Sequence, residues 1–212
     1  IGSSNTDMVV QSQALPSPGE TVLGGRFIMS AGGKGANQAV AASRLGASVL
    51  FVARIGKDIF GQKAMADLAS ECIDTNYIVE DPNQPSGIAL IMVDQDGENS
   101  ISVASGANNT LCRADVDQCA EDMEECQFML MQLEVPLTTV IHAASLAVRL
   151  KLKVILNPAP ACGLPDALYR SLYLISPNET EASLLTGVNV TDIRSAERAA
   201  ILLKNKGVRH VI

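Results

Sequence analysis

The stretch SAGGKGANQAV, residues 30–40, places three glycines around a single lysine and then continues into small residues. The alanine-rich segment 36–45 predicts a helix whose small side chains allow close approach to a sheet. The first N–H groups of a helix lack partners within the helix, so they can point donors at whatever the loop holds. Gly32 and Gly33 carry no side chain, which lets a ligand contact the backbone. The stretch therefore predicts a strand–loop–helix unit and raises the question of what the loop binds.

Two well-known phosphate-binding motifs do not fit this loop. A Walker A loop requires Ser or Thr directly after its lysine, because the hydroxyl binds magnesium, and here Gly35 follows Lys34. The dinucleotide motif G-x-G-x-x-G also fails, because Gln38 occupies the position of its third glycine. Lys34 supplies a charge, and Asn37 supplies a donor and an acceptor. This loop suits a polyhydroxylated ligand as well as an anion, but for the loop taken alone a tight strand-to-helix turn without any ligand is the favoured interpretation.

The composition excludes several classes of protein. The chain has 212 residues, of which 47% are hydrophobic, so it can bury a sizeable core. Its net charge of −7 argues against a general binder of nucleic acids or anionic membranes. No apolar run approaches the ~20 residues of a membrane span, and no secretory signal is visible. The five cysteines form no C-x-x-C pair, which favours reduced thiols and a cytoplasmic location. The sequence opens at Ile1 without an initiator Met, which suggests a fragment.

Strand-like and helix-like patterns alternate along most of the chain. This alternation is typical of βα units and a mainly parallel sheet, so the sequence predicts an α/β fold. The predicted strands are 48–55, 128–134, 153–157 and 172–178, and the predicted helices include 36–45, 60–71 and 137–151.

Two segments, at about 8–30 and 86–105, interrupt this alternation with extended patterns. The second contains the turn dipeptide Asp96-Gly97 between apolar runs, which predicts a hairpin. We interpret both segments as one small antiparallel sheet inserted into a single α/β domain that occupies 1–212. Such an insertion can act as a lid over a site, and ordinary edge decoration is the alternative.

Polar residues follow several of the predicted strands. Asn5 and Asp7 stand two apart in an extended segment, so they project to the same side. Glu134 ends one buried strand, and Asn178 and Glu181 follow another. Ligand groups gather at the carboxyl ends of strands in open α/β sheets. Each residue alone is better explained as a helix cap, but together they indicate a site.

Several stretches together resemble the ribokinase family of PfkB-type carbohydrate kinases, over essentially the whole chain. The resemblance implies a three-layer α/β/α sandwich with a mainly parallel sheet and a small β lid, with the C-terminal part missing. The stretches are GSSNTDMV (2–9), GGKGANQAVAASRLGA (32–47), GKDIFG (56–61), QLE (132–134), NPAPA (157–161) and PNETEASLLTG (177–187).

The resemblance implies a function and a set of site residues. Members of the family similar to this chain transfer the γ-phosphoryl group of ATP to the 5-hydroxyl of D-ribose, giving ribose 5-phosphate, with Mg²⁺ and a monovalent cation such as K⁺. The lid would also form a homodimer interface. By motif matching, the sugar would contact Asn5, Asp7, Gly32, Gly33, Lys34, Asn37 and Glu134, while Asn178 would face the nucleotide phosphates and Glu181 would organise Mg²⁺ through water.

The sequence departs from the family in one respect. The family's catalytic motif Gly-Ala-Gly-Asp is absent, and the nearest strings, at 45–48 and 105–108, lie in the wrong context. The catalytic Asp is therefore expected beyond Ile212, and these 212 residues alone are predicted not to catalyse transfer. The alternatives are a deoxyribokinase or another PfkB-type sugar kinase, or a non-catalytic sugar-binding truncated paralogue.

Overall fold

A computed structural model describes all residues, 1–212, and their contacts divide the chain into two units. One unit comprises Ser3–Asn109, and the other comprises Ile1–Gly2 together with Thr110–Ile212. None of the helices has both the length and the apolar character that crossing a membrane requires.

The unit Ser3–Asn109 contains six strands and two α-helices. The strands are β1 Asn5–Gln11, β2 Arg26–Gly32, β3 Ala53–Gly56, β4 Ile78–Asp81, β5 Gly87–Val93 and β6 Asn99–Ala104. The helices are α1 Lys34–Arg44 and α2 Ile59–Ser70, and a 3-10 helix follows at Gly106–Thr110. The strand predicted at 48–55 is shorter in the structure, because only β3 pairs continuously, with β4, and Leu50 makes an isolated bridge.

The four strands in the predicted lid segments form one sheet in the order β2-β1-β5-β6. The predicted hairpin at Asp96-Gly97 is confirmed: β5 and β6 are antiparallel, and Gly97 adopts a φ of 84° in the turn. The prediction of a wholly antiparallel sheet is wrong, because β1 and β5 are parallel. β1 and β5 are each the first strand of an antiparallel pair, and the two pairs meet through these strands running in the same direction.

Helix α1 begins two residues earlier than the sequence predicts. It starts at Lys34, and Gly33 is its N-cap with a φ of 89°. This left-handed conformation suits glycine, which has no Cβ to clash with the following carbonyl. Ala36 and Ala39 are buried in a cluster with Phe51 and other apolar side chains, so the small residues of α1 do permit close packing.

Asp58 joins the start of α2 to the start of β5. Its Oδ1 accepts hydrogen bonds from the N–H groups of Phe60 (3.1 Å) and Gly61 (2.8 Å) and from Ser86 Oγ (2.7 Å). Its Oδ2 accepts from Ser86 N at 2.8 Å. Partial burial raises the pKa of Asp58, but these hydrogen bonds outweigh it, and the net pKa is lowered.

Asp58→Ala is expected to lower the free energy of unfolding by about 2 kcal/mol at pH 7, because it removes an N-cap and the Ser86 contacts. A lowered pKa stabilises the fold above the unfolded value, and that stability is lost as the pH falls through the folded value. The difference from the wild type should therefore shrink below about pH 4. Urea unfolding of both proteins at pH 7 and pH 3 measures this difference in the free energy of unfolding. Asp67→Ala, which breaks only an exposed pair with Lys63, is the control and should change stability by less than about 0.5 kcal/mol.

The second unit contains a four-stranded sheet in the order β10-β9-β8-β7, and every pair in it is parallel, as predicted. Its strands are β7 Phe128–Met131, β8 Lys153–Leu156, β9 Leu172–Ile175 and β10 His210–Val211. Its helices are α3 Arg113–Asp117, α4 Ala120–Met123, α5 Leu137–Arg149, α6 Asp166–Ser171, α7 Glu179–Thr186 and α8 Ile193–Asn205. Helix α5 contacts β7 and β8, and its buried side includes Val140, Ala143, Ala144 and Ala147.

Candidate functional site

Asn5 and Asp7 lie on one face of β1 against the glycine loop, as the sequence predicts. Asn5 pairs with Gly32 across the β1–β2 ladder. A Cβ atom at Gly32 would lie 2.1 Å from Asp7 Oδ1, so only glycine leaves this carboxylate where it is. A Cβ atom at Gly33 would lie 2.8 Å from the backbone nitrogen of Asn5. The loop and the two polar side chains therefore form one compact group.

The start of α1 is less open to a ligand than the sequence predicts. Ser3 accepts two of the first amide hydrogens of the helix: its carbonyl oxygen accepts from Ala36 N at 2.8 Å, and its Oγ accepts from Gly35 N at 3.2 Å. These two donors are satisfied within the protein. Besides these two donors, the loop carries the polar side chains of Lys34 and Asn37, whereas Gly32 and Gly33 are buried against β1 and the residues just before it. Lys34 is half-buried and Asn37 is exposed.

A cavity of about 710 Å³ lies beside this group. Asn5, Gly32 and Asn37 are among the residues that line it, but most of its wall comes from α1 and α2 as far as Arg44 and Glu71. Neither Asp7 nor Gly33 nor Lys34 lines it. The cavity therefore reaches only part of the predicted sugar-binding set and is not the predicted site itself.

Asn108 is a residue of this group that sequence reasoning missed. It lies in the 3-10 helix, is 1% exposed, and bonds to Ser4 and Asn5. No periodic pattern marks it, because it stands in the polar string SGANNT and its partners are 103 and 104 residues away. The only available signal was a pair of asparagines after a predicted strand.

The other three predicted residues lie in the second unit. Glu134 stands in the loop after β7 and is half-buried. Asn178 is the N-cap of α7, directly after β9, and Glu181 lies in the first turn of that helix. Because β8 lies between β7 and β9, these residues follow strands at the same edge of one parallel sheet.

Asn178 and Glu181 form a reciprocal capping box. Asn178 Oδ1 accepts from Glu181 N at 2.8 Å, and Glu181 Oε2 accepts from Asn178 N at 2.9 Å. Asn178 Nδ2 also donates to Glu181 Oε1 at 3.2 Å. The helix-cap interpretation that the sequence left open is therefore confirmed for this pair. A cap does not exclude a ligand role, because each carboxylate oxygen has a further lone pair.

The protein contains no group of three or more His, Cys, Asp or Glu side chains placed to hold a metal ion. Mg²⁺ is often held by one or two carboxylates together with water and substrate phosphates. Glu181 is 8% exposed at a helix N-terminus, and so fits a role through water but not as part of an all-protein cage.

Comparison with known proteins gives consistent matches over the whole chain. The family model described as pfkB family carbohydrate kinase matches residues 1–212. A ribokinase of Haemophilus influenzae is 45% identical over 212 residues, which is 100% of this chain and 69% of that protein. A deoxyribokinase of Salmonella typhi is 40% identical over 213 residues, covering 100% of this chain and 70% of that protein.

A solved structure confirms the predicted ribokinase-like α/β fold. The structure of Arabidopsis thaliana ribokinase complexed with ribose and ATP matches with a TM-score of 0.87 at 32% identity, covering 99% of this chain and 69% of that one. Three observations point to the same family: the fold, the position of the glycine loop beside Asn5 and Asp7, and the family match over residues 1–212. The chain belongs to the pfkB family of carbohydrate kinases.

Proposed function

We propose that the protein acts in the ATP-dependent phosphorylation of D-ribose at its 5-hydroxyl, giving ribose 5-phosphate. The observation that carries the proposal is the placement of Asn5 and Asp7 on one face of β1 against Gly32 and Gly33. Relatives described as ribokinase and as deoxyribokinase match at similar identity, so 2-deoxyribose is the second candidate substrate.

The proposed sugar binding follows from the hydrogen-bonding chemistry of the Asn5, Asp7, Lys34 and Glu134 side chains. The Asp7 carboxylate can accept hydrogen bonds from two neighbouring hydroxyls at once, which suits a vicinal diol. Asn5 and Lys34 add donors, and Glu134 would accept from a further hydroxyl. Holding the sugar through its other hydroxyls aligns the primary alcohol for attack on a phosphoryl group.

The nucleotide half of the site is proposed on the α7 N-terminus. Asn178 would contact the nucleotide phosphates, and Glu181 would hold a water bound to Mg²⁺. When bound, Mg²⁺ neutralises charge on the phosphates during transfer. The Gly-Ala-Gly-Asp motif, whose Asp would act as the general base for the sugar hydroxyl, is absent from this sequence. We therefore propose that these 212 residues bind the sugar but do not turn over ATP.

The lid sheet supports the proposal of a homodimer. One of its faces exposes five large apolar side chains: Val10, Phe27, Met29, Leu90 and Met92. Large exposed apolar patches mark interaction sites more often than free surface. A second copy of the lid, which presents the same side chains, is the proposed occupant.

Calorimetry with D-ribose and with 2-deoxy-D-ribose, followed by an assay for sugar-dependent ADP release, tests the function. We expect the 212 residues to bind the sugar without turning over ATP. We expect turnover once the complete gene product supplies a Gly-Ala-Gly-Asp segment. Sugar binding by a complete product that never releases ADP would favour the non-catalytic alternative. The absence of any pentose binding would contradict the proposal.

Glu181→Gln is expected to lower kcat at least about tenfold at limiting Mg²⁺ in the complete gene product, because the neutral amide holds a metal-bound water less well. The sugar KM should not change. Stability should fall by less than about 1 kcal/mol, since the glutamine oxygen can still cap Asn178 N. Glu179→Gln, in the same first turn but exposed, is the matched control and should leave the Mg²⁺ dependence unaltered. An unchanged Mg²⁺ dependence in both variants would contradict the proposed role of Glu181 in holding a water bound to Mg²⁺.

A further inference from the structure

The hydrogen bonds of Asn108 define the orientation of its own side-chain amide. Asn108 Oδ1 accepts from Ser4 N at 2.9 Å, which identifies that atom as the oxygen. Asn108 Nδ2 then has two hydrogens, and it donates to Ser4 O at 3.1 Å and to Asn5 Oδ1 at 2.7 Å. Both hydrogens of the Nδ2 group are therefore committed, and the residue is 1% exposed.

This arrangement also orients the side chain of Asn5. Because Asn5 Oδ1 accepts from Asn108, the oxygen end of the Asn5 amide is turned toward Asn108 and the Nδ2 group is the end left for a ligand. Asn5 can then offer a hydrogen-bond donor, while Asp7, two residues along the same face, offers only acceptors when ionised. Asn5 would donate to a ligand oxygen that accepts a hydrogen bond, and Asp7 would accept hydrogen bonds from ligand hydroxyls.

Gly87 closes the space around this contact. It pairs with Asn5 across the parallel β1–β5 ladder. A Cβ atom at Gly87 would lie 2.2 Å from both Asn108 Nδ2 and Asn5 Oδ1. The contact is therefore packed directly beneath this glycine, which leaves no room for a larger residue there.

We propose that Asn108 is a positioning residue that keeps the Asn5 amide turned with its Nδ2 group toward the sugar, so that Asn5 selects an oxygen able to accept a hydrogen bond. This inference rests on the proposed sugar-binding function and deepens it. Asn108 acts through Asn5 and has no contact with the ligand.

The test uses Asn108→Asp, which keeps an acceptor for Ser4 N but replaces the donor to Asn5 Oδ1 and Ser4 O by a carboxylate oxygen. The Asn5 amide should then turn over, donate to the new carboxylate and present Oδ1 to the sugar. The dissociation constant of D-ribose should rise at least about tenfold, because a donor at that point is replaced by an acceptor. Asn109→Asp makes the same substitution at the exposed neighbouring residue and should leave sugar binding unchanged.

A panel of monofluorinated deoxyriboses provides a readout that a merely structural defect would not alter. Fluorine can accept a hydrogen bond weakly but cannot donate one. In the wild type, the analogue fluorinated at the position facing Asn5 should lose much less affinity than the other analogues. In Asn108→Asp that advantage should disappear. Equal relative losses across the panel in both proteins would overturn the inference.

A second measurement uses the wild type alone, so it holds even if the variant does not fold. The side-chain amide proton resonances of Asn5, assigned by their loss in Asn5→Ala, should shift when D-ribose binds. Sugar binding without any shift of these resonances would overturn the role of Asn108. If the wild type binds no pentose at all, that result contradicts the proposed function and therefore this inference as well.

Discussion

Asp7→Ala is expected to weaken the binding of D-ribose by at least about 100-fold, because hydrogen bonds to a charged group contribute roughly 1.5–3 kcal/mol each and this carboxylate can accept two. The affinity for ATP should change by less than about twofold, since Asp7 is proposed to contact only the sugar. Calorimetric titration with each ligand measures the two effects separately. In the complete gene product, kcat/KM for the sugar should fall by a similar factor.

The structure indicates why alanine cannot compensate at this position. The carboxylate of Asp7 lies where a Cβ atom at Gly32 would be 2.1 Å from its Oδ1, so the backbone of the loop lies directly against it. An alanine side chain has no acceptor and does not fill the space that the carboxylate occupies against the loop. Gln11→Ala is the control, because Gln11 is exposed on the same face and strand. Equal losses of sugar and nucleotide affinity would count against the role of Asp7.

Gly33→Ala is expected to destabilise the protein by more than about 3 kcal/mol and to abolish detectable sugar binding. Two costs add at this position. The φ of 89° is a left-handed conformation that alanine adopts with strain. The new Cβ would also lie 2.8 Å from Asn5 N and 3.0 Å from Ser3 O, and these backbone atoms cannot move without shifting β1.

Gly46→Ala separates these two costs. Gly46 has the same φ of 89°, but a Cβ there would meet nothing within 4 Å. This variant should therefore show the strain alone, about 1 kcal/mol, with sugar binding intact. Urea unfolding and calorimetry on both variants complete the comparison. Similar destabilisation by the two substitutions would mean that the packing of Gly33 against β1 is unimportant.

Much of the local structure was predictable from short-range patterns. The Asp96-Gly97 turn and the shared face of Asn5 and Asp7 both follow from rules that span a few residues. The capping alternative for Asn178 and Glu181 has the same origin, because the N-x-x-E spacing suffices to state it. Each of these features depends on neighbours in the chain, so the sequence contains the information directly.

Features that depend on distant segments were wrong or missed. The parallel pairing of β1 with β5 joins residues about eighty apart, from Asn5 to Gly87, and two hairpins considered separately do not predict it. Ser3 occupies two amides of α1 from a distance of more than thirty residues, so the expectation of free donors there was wrong. Asn108 was missed for the same reason, since only folding brings it to Ser4 and Asn5.

By itself, the sequence determined the α/β class, the family and the residue types of the proposed sugar site, because these depend on periodicity and on motifs of a few residues. Only the tertiary structure decided which of those residues meet, which donors are already occupied, and which way the Asn5 amide points. The physical reason is that hydrogen bonds and close packing are satisfied between segments far apart in the chain. No local pattern specifies such a partner until the strands have paired.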